Sequence, residues 1–141
     1  MRFATVEELE NHLSEPTQGV IETMGRLKGD IIVLGAGGKM GPTLTRMAKR
    51  ASDAAGVDRR VIGASIFPSE RDKDALRAAG VEAIDCDFLD QAQLDALPDA
   101  ENVVFMVGMK FGSVGAEALT WAINVYLPGM VAKRYAKSRI V

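Results

Sequence analysis

The stretch Ile31-Ile32-Val33-Leu34-Gly35-Ala36-Gly37-Gly38-Lys39-Met40-Gly41-Pro42-Thr43-Leu44-Thr45-Arg46-Met47-Ala48-Lys49 decides the fold. Its opening run of β-leaning apolar residues suits a strand buried on both faces, as in a parallel sheet under helices. The glycines then stop the strand. Pro42 fits the start of a helix, because its fixed φ is already helical and the N–H it lacks would have had no partner there. The spacing therefore predicts strand, tight glycine turn, helix.

Gly35, Gly38 and Gly41 divide the work of such a turn. One permits the sharp reversal, one lets a backbone approach a pyrophosphate, and one lets the helix pack closely on the strand. The free N–H groups and positive dipole end of the helix would face the phosphates. A glycine turn can also be purely structural; the strand before, the helix after and further strand-helix units downstream favour nucleotide binding. The candidate phosphate-loop residues are Gly35, Gly37, Gly38, Lys39, Met40 and Gly41. The pattern is G-x-x-G-x-x-G, since Met40 stands where G-x-G-x-x-G needs its third glycine. It is also not a phosphate loop of the Gly-Lys-Ser/Thr kind, because Lys39 is followed by Met40.

A length of 141 residues points to one domain, short for an α/β enzyme with separate cofactor and substrate regions. Hydrophobic content of 48%, 26% charged residues and a net charge of -2 are ordinary for a globular chain and give no electrostatic argument for nucleic acid or a membrane surface. The basic cluster Lys133, Arg134, Lys137 and Arg139 closes a helical stretch, where cations complement the dipole. With Cys86 the only cysteine and His12 the only histidine, no internal disulfide and no His/Cys metal site can form. No apolar run reaches the length of a membrane span, and the acidic N-terminus is unlike a secretory signal. A cytoplasmic setting is the default expectation.

Taken in order, residues 1–29 read as an N-terminal helical extension, with Thr5 capping a first helix and Val20, Ile21, Met24 and Leu27 at helical spacing in a second. After the glycine turn a helix runs to about Ala55, and Val61 to Ile66 form a second strand. An Asp or Glu at the end of that strand would bind the ribose 2′-hydroxyl of NAD. None is present. Ser65, Ile66 and Phe67 stand there, with Ser69 close by and Lys39 and Arg71 as candidate partners for a 2′-phosphate or as plain solvated cations. A helix from Asp72 leads to a third strand, Val81 to Cys86, which delivers Asp87 as acceptor for an adenine amino group, with Phe88 or Leu89 beside the ring. Asp85, Asp87 and Asp90 are discounted as a metal site for want of converging oxygens. The fourth strand, Asn102 to Val107, ends in a second glycine-rich turn, Gly108-Met109-Lys110-Phe111-Gly112-Ser113-Val114-Gly115, so Val107, Gly108 and Met109 are expected to face the cofactor. A last helix runs from about Ala116 to Lys137, its apolar face including Leu119, Ile123, Tyr126, Leu127, Met130 and Val131, with a kink or break at Pro128. Ser138 to Val141 begin a fifth strand.

With these pieces in place, residues 30–141 resemble the N-terminal half of an extended short-chain dehydrogenase/reductase of the NAD-dependent epimerase/dehydratase kind. The glycine triplet matches that family's phosphate loop, and Asp87-Phe88 its adenine-contacting acid. Asn102 to Met109 align with its fourth strand, with Met106-Val107-Gly108-Met109 in place of His-Leu-Ala-Ala. Asn124-Val125 align with the Asn-Val of its next helix, followed by Leu127-Pro128 where Gly-Thr is usual. The family's chemistry needs a Ser or Thr and a Tyr-x-x-x-Lys pair, in which lysine lowers the tyrosine pKa so that the phenol acts as acid or base toward a sugar hydroxyl. Tyr126 and Tyr135 do not supply it, being followed four places later by Met130 and Arg139.

The resemblance thus implies a Rossmann-like doubly wound α/β domain, cut at about the fifth strand, that is an N-terminal fragment or truncated product of a longer enzyme. It implies NAD or NADP as cofactor, with Lys39, Arg71 and the missing acid inclining the choice to NADP. The full-length protein would act on a nucleotide sugar or similar hydroxyl/carbonyl small molecule, and the fragment would bind without turnover. The helix holding Asn124 is implied to join a homodimer interface. Two other readings stay open: a non-catalytic dinucleotide sensor or regulatory module, and a nucleotide-binding fold that has lost its ligand.

Overall fold

In a computed structural model, which describes residues 2–110, 112 and 114–141, Ile31–Leu34 forms β1, buried at every position. An unbroken apolar run is what a strand with neighbours on both edges and helices on both faces requires. β1 pairs in parallel with β2 (Val61–Ser65) on one side and β4 (Asn102–Phe105) on the other, Ile31 lying opposite both Val61 and Asn102. β3 (Glu82–Asp85) adds to β2, and β5 (Arg139–Ile140) to β4. The five-stranded sheet has the order β3-β2-β1-β4-β5 and is parallel throughout, a Rossmann-like α/β arrangement. The chain works outward from β1 to β3 and returns to β4, so the order reverses between β1 and β4 and opens a crevice at their carboxyl ends.

Alternation along the strands divides the interior into two layers. Ile32, Leu34, Ile62, Ala64 and Val103 pack under α5 (Gln91–Ala96) and α7 (Leu127–Arg134), with Leu94, Leu127, Val131 and Tyr135 as their partners. Ile31, Val33 and Val61 face α3 (Gly41–Ala54) and α4 (Glu70–Ala78) through Ala48 and Leu76.

The N-terminal extension forms α1 (Val6–Leu13) and α2 (Gln18–Arg26), capped by the hydroxyls of Thr5 and Thr17. Neither helix has a buried residue. Met24 and Leu27 pack against the layer under α3 and α4, and three arginines of the domain proper add polar anchors. Arg46 pairs with Glu10 at 2.9 Å. Arg50 bonds Asn11 O, Asn11 Oδ1 and Ser14 Oγ. Arg59, only 7% exposed, donates to the carbonyls of Met24 (2.7 Å) and Leu27 (2.6 Å), closing the C-terminal end of α2 with a cation. The extension therefore lies along α3 and leaves the carboxyl edge of the sheet uncovered. Beside it, Val20, Met24 and Leu27 of the α2 segment, with Leu44, Met47, Val104 and Val141, line an apolar groove of about 460 Å³ over the sheet's amino-terminal half.

Several boundaries shift from those expected. β2 ends at Ser65, leaving Ile66 66% exposed. β3 excludes Val81 and Cys86, which are nonetheless buried. α4 starts at Glu70, because Ser69 caps it by accepting from the Asp72 N–H. Ser69 is thereby committed to the helix rather than to a ribose. The long last helix is three pieces: α6 (Glu117–Trp121), a π-helical turn (Ala122–Tyr126), and α7, which stops at Arg134. Pro128 has no N–H to offer the turn before it, and the chain accommodates this by widening, with Leu127 N–H donating to Ala122 O. The face expected to be apolar splits as a result. Leu127, Met130 and Val131 are buried, whereas Leu119 (45%) and Tyr126 (63%) are exposed.

Candidate functional site

The site is built where the sheet order reverses. At the end of β1, Gly35 N and Ala36 N both donate to Ala64 O, at 2.8 and 3.1 Å, tying the turn to β2. Gly35 has φ +97, a conformation that L side chains rarely adopt. Its open side faces the strand on the other flank, since a Cβ there would lie 3.1 Å from Met106 C and 3.2 Å from Val107 N. The turn tightens through Gly38 N to Gly35 O (3.0 Å) and Gly41 N to Gly38 O (3.2 Å). Gly41 is the first residue of α3 and is buried, and a Cβ on it would meet Gly35 O and Ala36 O at 2.5 Å. Close approach of helix to strand is therefore its role, as the spacing implied. Gly37 gives room to Ser65, whose Oγ would stand 2.9 Å from an added Cβ.

The start of α3 differs from those of its neighbours. Thr5, Thr17, Ser69 and Asp90 cap α1, α2, α4 and α5 with side-chain oxygens, whereas Met40 gives α3 no side-chain cap, as Ala116 gives none to α6. The N–H groups of Gly37, Lys39 and Met40 have no hydrogen-bond partner among the described residues. Donors of that kind at the positive end of a helix are what an anion binds. Gly38, Lys39 and Met40 are exposed there.

An open cleft of about 230 Å³ joins this turn to the ends of β2 and β4, with Gly35, Gly37, Gly38, Ser65, Ile66, Phe88, Met106, Val107 and Gly108 around it. Larger depressions lie elsewhere: the apolar groove and a polar crevice between Asp99 and Ser138 involve residues at the starts of strands, and a third lies between α5 and α7. Ligands of open parallel sheets sit at the other end, outside the carboxyl edge, so the smaller cleft is the candidate.

Of the residues expected around the ligand, the cleft gathers the glycines, Ser65, Ile66, Phe88, Val107 and Gly108. Gly41 is spent on packing, and Phe67 lies against Gly37, with Cδ1 3.1 Å from where a Cβ on that glycine would stand. Phe88 is 5% exposed and belongs to the core under α5 and α7, so it forms a floor rather than a free stacking face. Asp87 is exposed, and one carboxylate oxygen already accepts from Leu89 N–H at 3.0 Å. The neighbouring acids have other tasks: Asp85 pairs with Lys73, and Asp90 caps α5, hydrogen bonds from Gln93 and Ala92 holding its carboxyl below the usual range. Cys86 is buried, and burial pushes its thiol up to about 11, with Asp87 and Asp90 adding to the effect. It is no nucleophile at neutral pH.

Tyr135, one of the two tyrosines that lack a lysine four places on, is 2% exposed and donates to Pro98 O at 3.0 Å. Burial raises its phenol to about 12. It is a core residue.

The second glycine-rich turn includes Phe111 and Ser113, which lie outside the described residues. Its first part is well defined. Met106 N donates to Leu34 O at 2.9 Å, carrying the strand pairing one residue past β4. Met109 is held by Asn124, whose side chain meets both Met109 N and Met109 O at 2.8 Å. Met106 lines the cleft although only Val107, Gly108 and Met109 of that stretch are expected to face the cofactor. The resemblance marks Asn124 as a family position, but its contact with Met109 is seen only in the folded chain.

Fold and site together define a Rossmann-like α/β protein with a glycine turn at the switch point. Solved structures share this architecture. A ribose-5-phosphate isomerase from Brucella melitensis matches with a TM-score of 0.58 at 17% identity, over 80% of this chain and 47% of that one. A candidate short-chain oxidoreductase from Thermus thermophilus matches with a TM-score of 0.55 at 20% identity, over 78% and 55%. At these identities the likeness establishes the fold alone. The chain spans about half the length of these solved proteins. No protein-family model and no curated protein matches it. Among the described residues no helix is long and apolar enough to cross a membrane.

Proposed function

We propose that this chain is the dinucleotide-binding part of an NAD(P)-dependent enzyme of the epimerase/dehydratase or reductase kind, acting in its full-length form on a nucleotide sugar or a similar hydroxyl/carbonyl small molecule. The observation that carries the reading is the turn into the uncapped start of α3: the N–H groups of Gly37, Lys39 and Met40 have no partner among the described residues, and Gly38 between them has no side chain to obstruct a ligand. Gly37, Gly38, Lys39 and Met40 would hold the pyrophosphate. Ile66, exposed at the end of β2, offers an apolar face to an adenine, with Asp87 at the next strand end. The bound nicotinamide would supply hydride exchange with a hydroxyl or carbonyl carbon. This chain's own share is to bind and orient, because neither tyrosine has a lysine four places on.

The end of β2 carries no carboxylate to accept from a ribose 2′-hydroxyl, and Lys39 and Arg71 are exposed cations nearby in sequence on the loop and the first turn of α4. This inclines the reading to NADP. Trp121 and Val125, 68% and 57% exposed on the helix of Asn124, support the self-association that belongs to the same reading.

Calorimetric titration of the chain with NADPH and with NADH at one ionic strength tests the proposal. Saturable uptake that Gly38→Asp abolishes is the expected result, with NADPH the tighter ligand. A chain that keeps its fold and takes up neither dinucleotide would reduce the glycine turn to a structural device.

A further inference from the structure

Met40 belongs at once to the glycine turn and to the start of α3. Its carbonyl is committed to the helix, accepting from Leu44 N–H and from Thr43 Oγ1, each at 3.1 Å. Its N–H and that of Lys39 have no partner among the described residues. The thioether supplies no capping oxygen to these donors and packs in neither layer of the core. It is also the accessible one. Met40 is 64% exposed, whereas Met24, Met47, Met106 and Met109 are half-buried and Met130 is buried.

Among thioethers, exposure decides which one a peroxide reaches. A lone pair on sulfur attacks one oxygen of hydrogen peroxide, the O–O bond breaks as the S–O bond forms, and the proton of the first oxygen passes to the departing hydroxide, giving water. Sulfur loses the two electrons that the peroxide gains, and an apolar side chain becomes a polar sulfoxide with an acceptor oxygen. At Met40 that oxygen would arise beside the N–H groups that the reading above assigns to a pyrophosphate, and would compete with phosphate oxygens for them. We propose that Met40 is a site of modification by a peroxide, and that its sulfoxide weakens dinucleotide uptake at the glycine turn. The effect on uptake rests on the dinucleotide reading above; the modification does not. Because the Met40 backbone is held through its carbonyl and its side chain lies outside the core, the fold stays in place.

The test treats the intact chain and Met40→Leu, which removes the sulfur, with graded hydrogen peroxide. Peptide mass mapping locates the oxidised methionines, titration with NADPH and NADH compares each chain with its own untreated affinity, and thermal melting checks that each is folded. The expected result in wild type is oxidation of Met40 at least tenfold faster than of the half-buried methionines, with dinucleotide affinity falling about tenfold at nearly unchanged melting temperature. Methionine sulfoxide reductases should restore that affinity, and peroxide should leave the affinity of Met40→Leu where it began. Oxidation of Met40 no faster than of the others overturns the modification site. Oxidised Met40 with unchanged affinity overturns the effect on uptake, as does an equal loss in peroxide-treated Met40→Leu. An untreated wild-type chain that binds neither dinucleotide overturns the dinucleotide reading and the effect on uptake with it, whereas the mapping still reports whether Met40 is the reactive methionine.

Discussion

The turn after β1 is held by backbone groups: Gly35 at φ +97, Gly41 wedged under two carbonyl oxygens, hydrogen bonds from Gly38 to Gly35 and from Gly41 to Gly38, and the bonds of Gly35 and Ala36 to Ala64 O of β2. The loop after β4, which faces it across the same cleft, has an Asn124 side chain from fifteen residues away as its anchor. Glycine permits a backbone shape that any side chain would make costly. A side-chain clamp imposes shape only when the helix that carries it is seated. The first wall is therefore fixed by glycine geometry and backbone bonds to the neighbouring strand, the second by a side chain from a helix, and substitutions in them should fail in different ways.

The largest effect is expected at Gly41. An alanine there brings a methyl within 2.5 Å of Gly35 O and Ala36 O, both backbone atoms that cannot step aside as a flexible side chain can. Gly41→Ala should cost about 3 kcal/mol of stability, at the upper end of ordinary overpacking. Urea or thermal unfolding measures it. A loss below about 1 kcal/mol would show that the helix can slide away from the strand, and the first wall would then be no stiffer than the second.

That difference also explains what the sequence discloses. The apolar runs of β1, β2 and β4, and the glycines that follow β1 and β4, are local in sequence, so the parallel sheet, the turn and the roles of Gly35 and Gly41 can all be read from the chain. Cap residues are harder to see. Ser69 opens α4 ahead of a run of charges, Glu70-Arg71-Asp72-Lys73-Asp74, whose helical pattern shows only one buried position, Leu76. The seating of α1 and α2 combines the packing of Met24 and Leu27 with bonds from Arg46, Arg50 and Arg59, which meet partners 32 to 39 residues away. The π-helical turn is announced by Pro128, but the widening falls upstream, and the sequence does not indicate that it frees Asn124 to reach Met109. The binding assignment to Asp87 and Phe88 leans on resemblance; folding has set Phe88 into the core and engaged one oxygen of Asp87 in its own turn.

Alkaline pH gives a smaller effect directed at the second wall. The layer that seats α7 buries Cys86 and Tyr135, and burial raises the thiol from 9.0 to about 11 and the phenol from 10.0 to about 12. In the unfolded chain both ionise earlier than in the fold. Above pH 9 the unfolded state thus holds fewer protons, so stability is intact below that point and falls as pH rises toward 11 and beyond. For Cys86 alone the loss by about pH 10 is roughly 1.4 kcal/mol, one decade of differential ionisation. Melting wild type and Cys86→Ala at pH 8 and pH 10 should show the smaller drop in the variant. Equal drops would mean that the thiol is hydrated and that the seat of α7 is looser than its burial implies.

The smallest stability effect belongs to Gly38, and the comparison is sharpest there. Gly35 is required by its φ and Gly41 by packing, but Gly38 has neither a positive φ nor a buried position, and a methyl on it would meet only Gly35 O, at 3.2 Å. Alanine narrows the unfolded ensemble by about 0.4–1 kcal/mol relative to glycine, which offsets that one tight contact. Gly38→Ala should therefore unfold within about 0.5 kcal/mol of wild type. The fold alone gives no reason for a glycine at this place. A methyl would, however, stand beside the unpaired N–H groups of the turn that leads into α3, in space that an approaching phosphate would need. A stable Gly38→Ala chain with weakened dinucleotide uptake would separate the glycine kept for a ligand from the glycines kept for the turn. If the variant were instead destabilised by as much as Gly41→Ala, all three glycines would serve the turn, and the first wall would be architecture without a binding role of its own.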